Sequence, residues 1–412
     1  MRAEVRLAWP GPLGRVGSLL SQSGTTTFEY DRAYQEEGRA LNPLRPSPEP
    51  LATIPRGRHG NLRGFLGDAV PDGWGLRVLQ ARALARGIDP ASLDPAALLC
   101  LVGRNGPGAL TFHPEADPGS GPTTVDLAAL QQEADNLYEG TATMVAESAR
   151  QAMGASGGAR PKVLLDVLPD GTAIAGTPDP VAGATSYLIK FPTRDEGRDR
   201  GRVELAYAAM ARAAGITMPP TRAFPLQKGK LVCFGVERFD RPLGRPRPHV
   251  LSLAAALEAD YRTDLIDYRD FLQVTQRVTG EQPAVLEAYR RMLFNVLAGN
   301  RDDHLKNFAF LLPHDGEWEL APAFDLVPLD VPRHTTTVAD QEANITRAQC
   351  RAALAETLTL TPGLTARVAD IEDGVLAALA RWRKFADEAE VPAQTVARWT
   401  RLQKTIRRSF EA

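Results

Sequence analysis

Residues 299–308 read GNRDDHLKNF, and in this stretch Asp302 and Asn307 are separated by four residues. A hydroxyl nucleophile needs a carboxylate within hydrogen-bond reach to take its proton. A substrate rich in phosphate needs a hard cation held by oxygen ligands. One short loop carrying this Asp and this Asn supplies both. Lys306 lies between them, placed to contact a transferred phosphoryl group. His304 has no second His at ligand spacing, so it reads as a structural imidazole that orients the loop and not as a metal ligand.

A second carboxylate arrives downstream. Phe308 to Leu312, a turn at His314-Asp315-Gly316, and Trp318 to Leu320 have the pattern of a hairpin. The segment APAFDLVP, residues 321–328, follows and would bring Asp325 back beside Asn307. An Asp, an Asn and a later metal-binding Asp, in that order, are the machinery of protein kinases. Singly, each Asp is an ordinary loop or cap residue; the ordered set carries the reading.

Upstream segments supply complementary parts. SYLIKF, residues 186–191, is a strand ending in Lys190, like the kinase strand whose Lys grips nucleotide phosphates. Glu204 opens an Ala-rich helix 14 residues later and is a candidate ion-pair partner. The alternative is a snorkelling Lys beside a helix-start Glu favoured by the macrodipole. GASGGARPK, residues 154–162, precedes another strand; Ser156, Gly157, Gly158 and Ala159 could bring backbone N–H groups to phosphate oxygens, with charge from Arg160 and Lys162. It matches neither G-x-G-x-x-G nor the P-loop pattern, and a flexible loop is its alternative. CFGVERFDR, residues 233–241, reads as an apolar strand followed by a charged turn. As a hinge between lobes its backbone would meet adenine, with Asp240 reaching the ribose; otherwise it is a strand with capping charges.

The surroundings of these motifs bound the class of protein. The chain has 412 residues, 43% of them hydrophobic and 24% charged, with a formal net charge of -2. That balance argues against a dedicated, strongly basic nucleic-acid binder. The three cysteines, Cys100, Cys233 and Cys350, have no CxxC spacing and form neither a disulfide framework nor a zinc site. Charge at Met1-Arg2-Ala3-Glu4 falls where a signal peptide needs an apolar run. No stretch approaches the ~18 uninterrupted apolar residues of a membrane span. A cytoplasmic protein without a membrane partner is therefore expected.

Pro- and Gly-rich breaks at residues 114–122 and 242–248 divide the chain into three expected units: 1–122, 123–248 and 249–412. The first mixes short strands with helices over Gly75 to Ala85 and Pro95 to Leu101. The second carries strands at Val163 to Val167, Ser186 to Phe191 and Leu231 to Val236, with a helix from Val203 to Ala214 that Gly215 ends. The third is mainly helical, with apolar residues at helical spacing over Tyr268 to Val278, Pro283 to Leu297 and Ile371 to Ala389. The expected fold is α+β and kinase-like, a strand-rich small lobe before a helical large lobe, preceded by a mixed N-terminal subdomain.

Taken together, GGARPK, YLIKFP, VERFDR, GNRDDHLKN and AFDLVP resemble the HipA family of type II toxin–antitoxin systems. The N-terminal stretches FLGDAVPDGWG (residues 65–75) and LVGRNGPGAL (101–110) are similar to that family too, so the resemblance runs in order along nearly the whole chain. It implies a serine/threonine kinase using ATP and Mg²⁺. Asp302 takes the catalytic position, Asn307 and Asp325 the Mg²⁺ positions, Lys190 the phosphate-binding position, and Glu237, Phe239 and Asp240 the hinge. It also implies a protein substrate, an aminoacyl-tRNA synthetase in the best-known case, and a small HipB-like helix-turn-helix antitoxin through which DNA is contacted indirectly. The family's autophosphorylated loop serine is matched here by Ala155, a departure from the family pattern that leaves Ser156, one residue on, as the fallback candidate for that modification. Two other readings of the same residues are a small-molecule kinase and a non-catalytic nucleotide-binding partner of a DNA-binding antitoxin.

Overall fold

The computed structural model describes the chain apart from residues 12, 13, 46–50, 55–61, 63, 120, 143–145, 155, 156 and 412. The first strands alternate as their sequence dictates. In β1 (Arg2–Leu7), Ala3, Val5 and Leu7 face inward, and in β2 (Arg15–Gln22) and β3 (Thr25–Tyr30) Leu19 and Phe28 do the same. With β4 (Leu51–Ile54) and β5 (Leu110–His113) they form a five-stranded antiparallel sheet in the order β4-β3-β2-β1-β5.

A second sheet supplies the roof of the site. Its strands are β6 (Thr123–Val125), β7 (Lys162–Val167), β8 (Ala173–Ala175), β9 (Thr185–Lys190), β10 (Thr221–Leu226) and β11 (Leu231–Glu237), in the order β10-β11-β9-β7-β8-β6. The β7–β9 register sets Lys162 directly opposite Lys190. Like charges at facing positions repel, so this pairing needs acidic groups nearby. The helix Arg200–Ala213 packs against the sheet and presents Glu204.

A third sheet, β12 (His249–Ser252), β13 (Ala309–Leu312) and β14 (Glu319–Leu320), floors the site. The last two strands are the expected hairpin. β12 falls in a stretch the sequence pattern left to the helical unit; it is four residues long and is held by pairing with β13. Below it lies the helix Gln282–Ala298, buried on almost every side through residues such as Tyr289, Met292 and Phe294. Gly299, at φ +74, ends that helix in a left-handed cap and releases the chain into the 300–307 loop.

The continuous helix expected from Ile371 to Ala389 is corrected to two, Pro362–Ala380 and Trp382–Glu388, broken at Arg381. The break turns Trp382 inward, 2% exposed, edge-on to Tyr207 with ring centroids 5.2 Å apart. That burial outweighs the helical continuity lost at one residue.

The N-terminal sheet does not form an isolated module. Phe65 and Leu66 share a core with Leu253, Ala254 and Ala255 of the large lobe. Trp74, Val78 and Ala81, on the helix Gly73–Leu84, share a different core with β7 and β9 of the small lobe. One segment, residues 65–84, thus braces both lobes next to the cleft between them.

Candidate functional site

At the end of β9, the Lys190 ammonium lies 2.8 Å from a Glu204 oxygen and 2.5 Å from an Asp325 oxygen. Burial alone disfavours that ammonium, but Asp325 and then Glu204 outweigh it and raise its pKa above the ordinary lysine value. Burial would likewise raise the Asp325 pKa; Lys190, then Lys162, hold it well below the usual carboxylate range. Lys162 is lowered, first by burial and then by the facing Lys190 ammonium. The repulsion between the two lysines is thus met by Asp325 from the large lobe and Glu204 from the small-lobe helix. Asp325 sits at φ +56, a left-handed conformation unfavourable for a residue with a Cβ. The buried Asn300 side chain reaches its carbonyl at 3.4 Å.

The 300–307 loop is fixed from beneath. Asp303 is fully buried and accepts from the Tyr268 hydroxyl at 2.9 Å, His334 Nδ1 at 2.8 Å and the Thr335 N–H at 2.9 Å. Asn295 donates in turn to Tyr268. Asp303→Ala would leave these donors without an acceptor. We expect it to destabilise the protein by about 2–4 kcal/mol, read as a shifted urea midpoint with the slope unchanged.

With Asp303 pointing down, its neighbour Asp302 points up into the cleft. Half-exposed, it is partly desolvated by the cleft walls, which raises its carboxyl pKa; His304 opposes the shift and Asp325 reinforces it. His304 Nε2 stands 3.9 Å from Asp302 Oδ1, and its ring lies against Tyr261. The Asn307 side-chain N–H donates to the Asp302 carbonyl at 2.7 Å, so its amide oxygen is not needed to hold the loop. Lys306 reaches Asp72 at 2.9 Å and lies 4.7 Å from the centre of the Tyr261 ring.

These groups line one cleft of about 580 Å³, within the roughly 300–1,000 Å³ typical of small-molecule sites. Gly157, Gly158, Ala159, Lys162, Lys190, Glu237, Phe239, Asp240, Asp302, Lys306, Asn307 and Asp325 all border it. Ser156 lies outside the described residues. The apolar end is formed by residues such as Leu188, Val236, Phe239 and Phe324, with the two phenyl rings 5.8 Å apart.

Three details depart from what the sequence suggested. Asp240 borders the cleft, but its carboxylate accepts from Arg238, Arg241 and the Gly108 N–H. It therefore anchors the hinge to the N-terminal subdomain and leaves little capacity for a ribose. The Glu237 and Arg238 N–H groups are committed to the carbonyls of Pro220 and Ser186, so they do not face a base. The Gly158 N–H is likewise held, by Asp72 at 2.6 Å. Residue-level reading also gave no role to Asp72, Arg200, Tyr261 or Asn300. Arg200 reaches the Pro328 carbonyl at 2.9 Å and tethers the Asp325 segment to the small-lobe helix. The only sequence signal for Asp72 was its place in FLGDAVPDGWG, which carried family likeness without a role.

Fold and site together define a two-lobed, kinase-like α+β protein. The chain belongs to the HipA family: the HipA-like C-terminal domain matches residues 154–408 and the HipA N-terminal domain matches residues 12–113. Two Sinorhizobium fredii relatives are named as candidate kinases. Y4mE is 30% identical over 76% of this chain and 75% of its own length. Y4dM is 26% identical over 79% and 76% respectively. Among solved structures, the chain resembles the Shewanella oneidensis HipA–HipB–operator DNA complex, with a TM-score of 0.61 and 18% identity over 95% of this chain and 100% of that one. Among the described residues, no helix is long and apolar enough to cross a membrane.

Proposed function

We propose that this chain is an ATP- and Mg²⁺-dependent serine/threonine protein kinase and the toxin of a HipA-type toxin–antitoxin system. The observation that carries the reading is the meeting of Lys190, Glu204, Asp302, Asn307 and Asp325 around one cleft, from segments far apart in sequence. In this reading Asp302 orients the acceptor hydroxyl and takes its proton. Lys190, locked by Glu204, and Lys162 face the phosphates. Val236 and Phe239 bound the base, and Lys306 meets the phosphoryl group in transit.

The residues present suit Mg²⁺. The Asn307 amide oxygen and the Asp325 carboxylate, both bordering the cleft, are hard oxygen donors, and one or two side chains are what this ion ordinarily takes when phosphates complete its shell. Bound there, the ion would neutralise charge on the phosphates. The protein's own share is position and electrostatics in a partly dry cleft. The divisions at 1–122, 123–248 and 249–412 would then be the N-terminal subdomain, small lobe and large lobe. The toxin role draws on the Shewanella complex, in which HipA stands with HipB and operator DNA. By analogy the partner here is a HipB-like helix-turn-helix antitoxin, with DNA reached through it. The substrate would be a protein, with an aminoacyl-tRNA synthetase as the first to try.

The test is transfer of label from ATP to proteins of a cell lysate. Wild type should label protein serine or threonine, and EDTA should stop it. Asn307→Ala should raise the Mg²⁺ needed for half-maximal rate at least about tenfold. Label appearing only on small molecules would favour the small-molecule kinase, and nucleotide binding without transfer would favour the non-catalytic reading.

A further inference from the structure

Asp72 stands at the N-cap of the helix Gly73–Leu84, where an Asp ordinarily accepts from its own helix's N–H groups. Here it makes no such bond. Oδ1 accepts the Gly158 N–H at 2.6 Å, and Oδ2 accepts the Tyr261 hydroxyl at 2.5 Å and the Lys306 ammonium at 2.9 Å. The donors come from the Gly-rich loop, from the segment before the helix Tyr268–Thr279, and from the catalytic loop. The acceptor comes from a fourth region, the N-terminal subdomain.

The seat is built for this contact. Gly73 sits at φ +47, and a Cβ there would come within 2.7 Å of the Gly158 carbonyl oxygen. The Trp74 N–H donates to that same oxygen at 2.8 Å, and its indole donates to the Lys162 carbonyl at 3.0 Å. Both polar backbone groups of Gly158 are therefore held by residues 72–74. The Lys306 ammonium is gripped between the Asp72 carboxylate and the Tyr261 ring. A lysine is a point charge on a flexible stem. Without a fixed counter-charge this one would not keep one place in the cleft.

We infer that Asp72 is a positioning residue for phosphoryl transfer, holding Lys306 and the Gly-rich loop in one arrangement across the cleft. The N-terminal subdomain thereby completes the transfer site in cis. This rests on the kinase reading, since it gives Lys306 work to do on the phosphoryl group. The effect is on the step that needs alignment, not on nucleotide capture, which falls to Lys190, Lys162 and the apolar end of the cleft.

The test uses the full chain with Asp72→Asn, Lys306→Met, the double variant and Asp72→Glu. Each is measured for Mg-ATP affinity, turnover of radiolabelled ATP and thermal unfolding. We expect Asp72→Asn to lower kcat at least about tenfold while Mg-ATP affinity changes less than about threefold. The losses should combine less than multiplicatively in the double variant, since Asp72 acts in part through Lys306, and Asp72→Glu should recover part of the rate. A folded Asp72→Asn with wild-type kcat, or losses that multiply in the double variant, would overturn the inference while leaving the kinase reading intact. If Asp72→Asn does not fold, Tyr261→Phe removes one of the three donors and keeps the ring. A fall in kcat that vanishes in the Lys306→Met background then supports the inference, and no fall overturns it. A wild-type protein that neither binds nor turns over Mg-ATP would remove the kinase reading, and this inference with it.

Discussion

Asp302→Ala is expected to lower phosphoryl transfer by roughly 10²–10⁴-fold, the usual contribution of a positioned acid–base group, while leaving the melting temperature within a degree or two of wild type. The two halves of this result have separate causes. The Asp302 side chain is 52% exposed, and the neighbouring His304 Nε2 stands 3.9 Å away, beyond hydrogen-bond reach. Its removal therefore strands no buried donor, and exposed substitutions of this kind stay within about 0.5 kcal/mol. The contact that shapes the loop uses the Asp302 backbone carbonyl, which accepts from Asn307 and survives in the variant. The buried anchor belongs to Asp303, so loop position and loop chemistry reside in adjacent side chains. The raised pKa of Asp302 also makes it the better base. Wild-type rate should fall as the solution becomes acidic enough to protonate it, and Asp302→Ala should lack that limb. Incorporation of label from ATP at the wild-type rate in the variant would return GNRDDHLKNF to the status of an ordinary loop.

Where groups lie within a few consecutive residues, their coming together could be read from the chain. Asp302, Lys306 and Asn307 share one loop, and the hairpin that returns Asp325 is announced by its own turn residues. Lys190 at a strand end and Glu204 near a helix start were legible as a pair because each sits at a recognisable place on its element. What escaped reading depends on register and on contacts across the fold. That Lys162 faces Lys190 follows from how β7 pairs with β9, which no local pattern specifies. Asp240 looked available to a sugar because its two arginine partners are sequence neighbours, as cap charges commonly are, while its third donor, Gly108, is 132 residues away. Asp72 reads as a helix cap, and only the approach of Gly158, Tyr261 and Lys306 reveals another use. The helix break at Arg381 is similar: periodicity continues through it, and the buried position of Trp382 decides the matter.

Lys190→Met should damage stability and activity together, because it removes the cation shared by two carboxylates while keeping most of the apolar stem. Removing one partner of a fully buried ion pair costs about 3–5 kcal/mol. Here the expected loss at neutral pH is smaller, about 2–3 kcal/mol, because Asp325 remains 32% exposed and Lys162 is at hand to take part of the load. The pH dependence gives the test its sign. Asp325 has a depressed pKa in the folded protein, so its contribution is present above the unfolded value of ~3.9 and lost as pH falls through the folded value. Lys190 has a raised pKa, so its contribution is full below the unfolded value of ~10.4 and lost only as pH rises through the folded one. The gap between wild type and Lys190→Met should therefore be flat around neutral pH and narrow on the acid side. Activity should fall about 100-fold or more, since nucleotide phosphates would lose the ammonium that faces them. Urea unfolding at pH 7 and at about pH 2, where folded Asp325 begins to take up its proton, separates the explanations. A variant as stable as wild type at pH 7 would mean that Glu204 and Asp325 do not depend on Lys190, and the charge arrangement argued for this cleft would be wrong. A loss equal at both pH values would instead mark the lysine as a packing element, since only an ionic partnership fades as Asp325 takes up its proton.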